Sequence, residues 1–240
     1  MKQFFTRCRI LIVLMFPFAL HAQVSQDYNI LLHSGKFIPQ ENISIVTKIS
    51  PVFQQSLFNG RHYVVIQFKA LPTQVQKDNL KAVGIELIDY IPNNAYTASV
   101  SADINISDFK SSLFRSVFQF KPQDKAAQDM LSGNVPQHAI KMPGYADVDI
   151  ILYEKLNAAD VQQAVSFLNA TVIQDVPDFR MFTIRIPAAN AKQIAILSFV
   201  QWAEFIAPPN QTENLPGRSL HRVNVLNDGV RNLKGDRSNS

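Results

Sequence analysis

The sequence predicts an α+β fold made of two tandem units, each an antiparallel sheet with its helices on one face. Three observations carry that expectation. First, "YVVIQFKALPTQVQKDNLKAVGIELIDYIPNNAYTASVSADINISDFKSSLFRSVFQFKP" can be laid over "VDIILYEKLNAADVQQAVSFLNATVIQDVPDFRMFTIRIPAANAKQIAILSFVQWAEFIAPP". Ile66 then falls on Ile151, Leu71 on Leu156, Ile88 on Ile173, Pro92 on Pro177 and Phe114 on Phe199, each pair 85 residues apart. Second, each stretch reads β-α-β-β-α-β, the ferredoxin-like order. Identity between them is low, so this order of elements carries the match. Third, a unit of this length buries only a modest core, which favours two packing together.

The elements follow in order. Tyr63 to Phe68 and Val148 to Tyr153 are nearly continuous apolar runs, which suit central strands with a neighbour on each side. A helix comes next. In the second unit Asn157 is its N-cap, and Val161, Ala164, Val165 and Leu168 mark one face. In the first, Val75, Leu80 and Val83 mark a less regular face. Both helices end on residues that tolerate a left-handed backbone, Gly84 and Asn169. A strand then runs to the shared proline, and a turn with Asn93-Asn94 or Asp178 leads into an alternating strand. Tyr96, Ala98 and Val100 are expected inside, with Thr97, Ser99 and Ser101 wet. Phe182, Ile184 and Ile186 are likewise expected inside, against Thr183 and Arg185. A second helix ("ISDFKSSLF", "NAKQIAILSF") and a closing strand complete each unit, with Trp202 expected in the core.

The flanks divide the rest. Lys2, Arg7 and Arg9, an apolar run from Ile10 to Leu20 and Ala22 before Gln23 have the form of a secretory signal peptide over 1–22. The run is too short to span a bilayer, which takes roughly 20 residues, so an exported chain without stable membrane insertion is expected. An extension (23–58), the first unit (59–125), a linker (126–144), the second unit (145–209) and a Pro/Asn/Gly-rich tail (210–240) follow.

Composition narrows the function. The formal charge of +4 comes largely from the leader: without Lys2, Arg7 and Arg9, 20 basic residues face 19 acidic ones. That balance, and strands without a Lys/Arg-Gly-aromatic signature, argue against nucleic acid. The single cysteine, Cys8, lies in the leader, so the remaining chain has no disulfide, thiol nucleophile or thiolate metal site. His33, His62, His138 and His221 are scattered and read as surface or strand-end residues, and Asp147 and Asp149 as a solvated strand end. Metal-protease, nucleophile-elbow, phosphate-loop and dinucleotide motifs are absent. The expectation is a non-enzyme without metal or cofactor. Asn42, Asn105, Asn169 and Asn210 open N-x-S/T triplets, which matter only in a glycosylating host.

The ends of the chain add a resemblance. "YNILLHSGKFIPQENI", the paired units and the closing "RSLHRVNVLNDGVRNLKGD" together resemble the pro-region of a secreted bacterial subtilisin-like serine protease. The resemblance covers most of the chain after the leader. It implies that 210–240 combine a cleavable tail with the start of a catalytic domain, whose aspartate, histidine and serine are missing from this sequence. It also implies a partner, a subtilisin-like catalytic domain in cis or in trans. The pro-region would act as intramolecular chaperone and inhibitor, with Asn214, Leu215, Pro216, Gly217 and Arg218 as the segment lying in the cleft and processed there. Two other readings fit the same residues: a freestanding tandem-domain inhibitor acting in trans, and a cell-surface binding or adhesion module.

Overall fold

The computed structural model describes residues 27–109 and 113–208. In chain order these form β1 (Ile30–Leu32), β2 (Gly35–Phe37), α1 (Pro51–Ser56), β3 (Leu57–Phe58), β4 (Arg61–Phe68), α2 (Gln74–Ala82), β5 (Ile85–Ile91), β6 (Ala95–Ser101), α3 (Ile106–Phe109) and β7 (Phe114–Phe118). Then come α4 (Gln128–Ser132), β8 (Tyr145–Leu152), α5 (Ala158–Ser166), β9 (Thr171–Val176), β10 (Met181–Pro187), a 3-10 helix over Ala188–Ile196 and β11 (Val200–Phe205). The fold is mixed α+β with antiparallel sheets.

Both larger sheets place their first strand centrally. β4 lies between β6 and β7, with β5 outside β6 and β3 against the start of β4. β8 lies between β10 and β11, with β9 outside β10. The two apolar runs are therefore flanked on both sides, as their lack of alternation requires. The helices sit on one face of each sheet. Phe53 of α1 and Leu80 of α2 join Val64, Ile66, Phe68, Ala98 and Val100 in one core. Val161 and Val165 of α5, Ile194 of the 3-10 run and Met130 of α4 join Val148, Ile150, Phe182 and Ile184 in the other.

The local signals act where their chemistry predicts. Asn157 caps α5 by accepting from the Ala159 N–H at 2.8 Å, and Leu168 is 3% exposed. Gly84 and Asn169 both have positive φ, 91° and 56°. A Cβ at Gly84 would come within 3.0 Å of the Ser101 Cβ, so glycine answers a close approach there as well as a left-handed turn. Asn93 and Asn94 also have positive φ, which turns β5 into β6. α2 carries a capping box that the sequence reading missed: Thr73 accepts from the Gln76 N–H, and the Gln76 side chain accepts from the Thr73 N–H at 2.8 Å. The T-x-x-Q spacing was its signal.

Several expectations change. Only Leu80 of the predicted α2 face is buried, while Val75 and Val83 are exposed. The second helix of the second unit is a 3-10 run rather than α. In the first unit α3 covers Ile106–Phe109 and residues 110–112 lie outside the described chain. The constant spacing of 85 also breaks down. Ile66 faces the helices, whereas Ile151 pairs with Met181 on the opposite face of its sheet. The N-caps Thr73 and Asn157 are 84 residues apart, and the left-handed Gly84 and Asn169 are 85 apart. A one-residue slip turns a strand side chain over, so matched letters and matched faces part company.

The segment 126–144 does not hang free between units. Ala126 forms a parallel bridge with Ala203 on the outer edge of β11, and Met130 and Ala139 are fully buried in the second core. The extension is equally integral. Ile30 and Leu32 of β1 pack on Val65, Ile91 and Ala95, the face of the first sheet away from its helices. Buried Gln67 holds the extension by donating to the Tyr28 carbonyl at 2.9 Å, and Arg115 stacks over the Tyr28 ring at 4.3 Å. Asn42 seals the β7 edge, donating to the Val117 carbonyl and accepting from its N–H at 2.7 and 3.0 Å. Its amide is thereby engaged, unlike that of the exposed triplet residue Asn169.

Candidate protein-docking face

The second sheet has a face without helices, and strand register builds it. Val148, Ile150, Phe182, Ile184, Ala203 and Phe205 turn to the core. Their neighbours in sequence must therefore point the other way. The cross-strand rows on that side are Trp202–Ile151–Met181–Val176, Glu204–Asp149–Thr183–Gln174 and Asp147–Arg185–Thr171. One row is largely apolar, one mixes acid and amide, and one is an ion pair. β9 gives the face an exposed margin at Gln174 and Thr171.

The polar groups on this face bond largely within the sheet, with one ion pair among them. Arg185 donates to both Asp147 oxygens, at 2.7 Å from Nε and 2.9 Å from Nη2. This fork raises the guanidinium's already high pKa. The Thr183 hydroxyl donates to Asp149 at 2.6 Å. The two aspartates thus share a side, as alternation predicts, but they are not a solvated strand end: Asp147 is 4% exposed. Trp202 is also not core. It is half-buried on the open face, its indole N–H donates to Glu204 at 3.0 Å, and His33 of the β1–β2 turn meets it edge-on at 5.8 Å.

A second feature is the junction between the sheets. The Asp89 carboxylate accepts from Arg180 Nη2 at 3.2 and 3.1 Å and from the Gln201 amide at 3.1 Å. Arg180 also donates to the Tyr153 carbonyl, and it has positive φ, 54°. Tyr63 stacks on Tyr153 at 5.6 Å and its hydroxyl donates to Glu154 at 2.6 Å. Burial first, and then this carboxylate, push the phenol's pKa well above the ordinary tyrosine value. Asp89, Tyr153, Glu154, Lys155 and Arg180 line a cleft of about 300 Å³ there. These contacts join residues 27 to 112 positions apart, so no local motif marks them.

The remaining chemistry is structural. Ser56 and His62 approach to 3.1 Å, but they are 0% and 9% exposed, so no substrate reaches the pair. His62, the second residue of β4, is thus at a strand end as expected but buried rather than on the surface, while His138 contacts the Ile206 carbonyl at 2.9 Å. Among the described residues no three His, Cys, Asp or Glu side chains gather to hold a metal. No helix among them is long and apolar enough to cross a membrane. The proposed tail residues Asn214, Leu215, Pro216, Gly217 and Arg218, together with His221, lie outside the described residues.

Fold and face together define a mixed α+β protein whose two larger antiparallel sheets carry helices on one face each, with the other face of the second sheet left partly open. A family model described as "Domain of unknown function (DUF8729)" matches residues 31–121, from β1 to just beyond β7. The match takes in the hairpin, α1 and the whole first sheet, the same block that Gln67, Asn42 and Arg115 tie together. No curated protein and no solved structure matches the chain.

Proposed function

We propose that the chain is an exported, non-catalytic pro-region of a subtilisin-like serine protease, acting as intramolecular chaperone and inhibitor. In this reading its two sheets are tandem ferredoxin-like units. The shared strand order supports that assignment, with the first strand between the third and fourth and the second outside the third. The single observation that carries the functional reading is the helix-free face of the second sheet. It offers half-buried Trp202 and Met181, with Ile151 buried between them, beside the Arg185–Asp147 and Thr183–Asp149 pairs, which already bond to one another. β11, which borders this face, is the last described strand before residues 209–240. The tail from Asn214 to Arg218 would then enter the protease cleft as an added strand.

The test is inhibition of a subtilisin-like protease by the full chain. Slow inhibition followed by cleavage between Asn214 and Arg218 is expected, with Trp202→Ala weakening inhibition several-fold. Undiminished protease activity with the chain in large excess would overturn the reading. Inhibition without any gain in refolding of the denatured protease would favour the freestanding inhibitor instead.

A further inference from the structure

Lys125 stands where the segment after β7 meets β11. Its residue is 4% exposed, and its side-chain nitrogen donates to the Leu197 carbonyl at the turn before β11. Around it the backbone closes a seam. The Ala203 N–H donates to the Lys125 carbonyl at 2.8 Å, and the Ala127 N–H donates to the Ala203 carbonyl at 3.0 Å. Ala126 and Ala203, bridged in parallel, are both fully buried.

A buried ammonium is tolerable when an anion neutralises it. Lys125 has no ion-pair partner among the described residues, and the carboxylates on the packed elements are engaged elsewhere. Asp124 accepts from the Lys121 N–H and from Ser34. Asp129 on α4 accepts from the Met130 N–H, and Glu204 on β11 accepts from Trp202. Lys192, on the 3-10 run, carries the same sign as Lys125. Burial alone pushes the Lys125 amine down to about 7.

We propose that Lys125 is a proton-operated latch: neutral, it lets the connecting segment close on the edge of β11, and protonated, it opens that seam. The direction follows from linkage. The open state binds the proton near the ordinary lysine value of 10.5, and the closed state binds it only near 7. The closed seam is thus most favoured at high pH and loses ground as pH falls from 10.5 toward 7. Below 7 both states carry the proton and the change levels off. Opening exposes the N–H and C=O of Ala203, an unpaired strand edge available to another extended segment. A methionine would fill the space without this dependence, so the lysine makes closure conditional. The latch goes beyond the protease reading and does not depend on it.

Amide hydrogen exchange on the full chain tests the latch, with protection corrected for intrinsic exchange and Val148 and Ile150 as core references. Protection at Ala127 and Ala203 should fall by about tenfold per pH unit between pH 9 and pH 7, ahead of the core. Lys125→Met should abolish the slope. A flat wild-type profile, seam amides that exchange only with the core, or an unchanged slope in Lys125→Met would each overturn the latch. Should the variant not fold, titration of the Lys125 amine by NMR in the wild-type chain decides: a midpoint near 10.5 rejects it.

Discussion

The two large sheets share strand order and have helices on one face, yet their other faces are finished differently. On the first sheet that face is sealed: Val65, Gln67, Thr97 and Ser99 are all 0% exposed. The β1–β2 hairpin covers one part, and the second unit covers another through Tyr63, Asp89 and Arg180. On the second sheet it stays partly open, with Arg185, Asp149, Trp202 and Glu204 half-buried. Both faces carry polar residues at alternate positions. The difference lies in where those residues find partners. Both faces have cross-strand pairs, Arg61–Ser99 and Thr97–Asp89 on the sealed one and Asp147–Arg185 and Asp149–Thr183 on the open one, but on the sealed face Gln67 and Asp89 also bond to other parts of the chain. A polar strand face can therefore be a buried interface or a free one, and partner location tells them apart.

The sharpest way to break this contrast is to truncate one aromatic on each face. Tyr63 sits in the second unit's core although it belongs to the first sheet, stacked on Tyr153 and 1% exposed. Tyr63→Ala should cost on the order of 3–5 kcal/mol, the range for large aromatic deletions in cores. Trp202→Ala, on the half-buried face, should cost only about 1–2 kcal/mol. Equal losses in chemical denaturation would mean that the two faces are not sealed differently.

The next contrast is between the two carboxylate hubs. Asp89→Ala removes the acceptor shared by Arg180 and Gln201, whose groups stay in the junction, so a cost of about 1–3 kcal/mol is expected. Asp89 joins the units, so its loss should also split unfolding into two transitions. Asp147→Ala orphans only Arg185, whose half-exposed guanidinium can reach water, and should cost about 1–2 kcal/mol within a single transition. Calorimetry separates these outcomes, and a single sharp transition for Asp89→Ala would show that the hub does not couple the units.

Much of this was legible in the sequence, for a physical reason. Continuous apolar runs marked β4 and β8, the N-cap Asn157 marked α5, and Gly84, Asn93, Asn94 and Asn169 marked the places where the backbone needs positive φ. These are local devices, written in a few adjacent residues. Whether Thr97 and Ser99 are wet was not legible, because alternation reports two faces and not what covers the second. Trp202 misled for the same reason: apolar neighbours in sequence are not neighbours in space on a strand. Asp89–Arg180, Asn42–Val117 and Lys125–Leu197 join residues 91, 75 and 72 positions apart, beyond any short pattern. Export rests on the leader over 1–22, and the protease partner and processing segment on the sequence resemblance.

The smallest expected effect concerns pH in the first unit and complements the seam at Lys125. His62 packs edge-on against Phe53 at 5.1 Å, with Ser56 at 3.1 Å from its Nδ1. Burial lowers its pKa below 6.5; a backbone hydrogen bond with Phe53 acts in the opposite sense, and the positive charge of Lys48 adds to the lowering. The folded chain thus keeps this imidazole neutral where the unfolded chain takes up a proton. Its contribution is fully present above pH 6.5 and is lost as pH falls through the depressed folded value. Denaturation midpoints measured from pH 7.5 down to 5 should decline more steeply for the wild type than for His62→Gln, by no more than one proton's worth of slope. The Lys125 response is complete by about pH 7, so the two windows barely overlap. Acidification should loosen the edge of the second sheet before it weakens the α1 side of the first. If His62→Gln instead flattened the profile above pH 7, the histidine and the seam would be parts of one titrating unit, and the contrast between the two halves would fail.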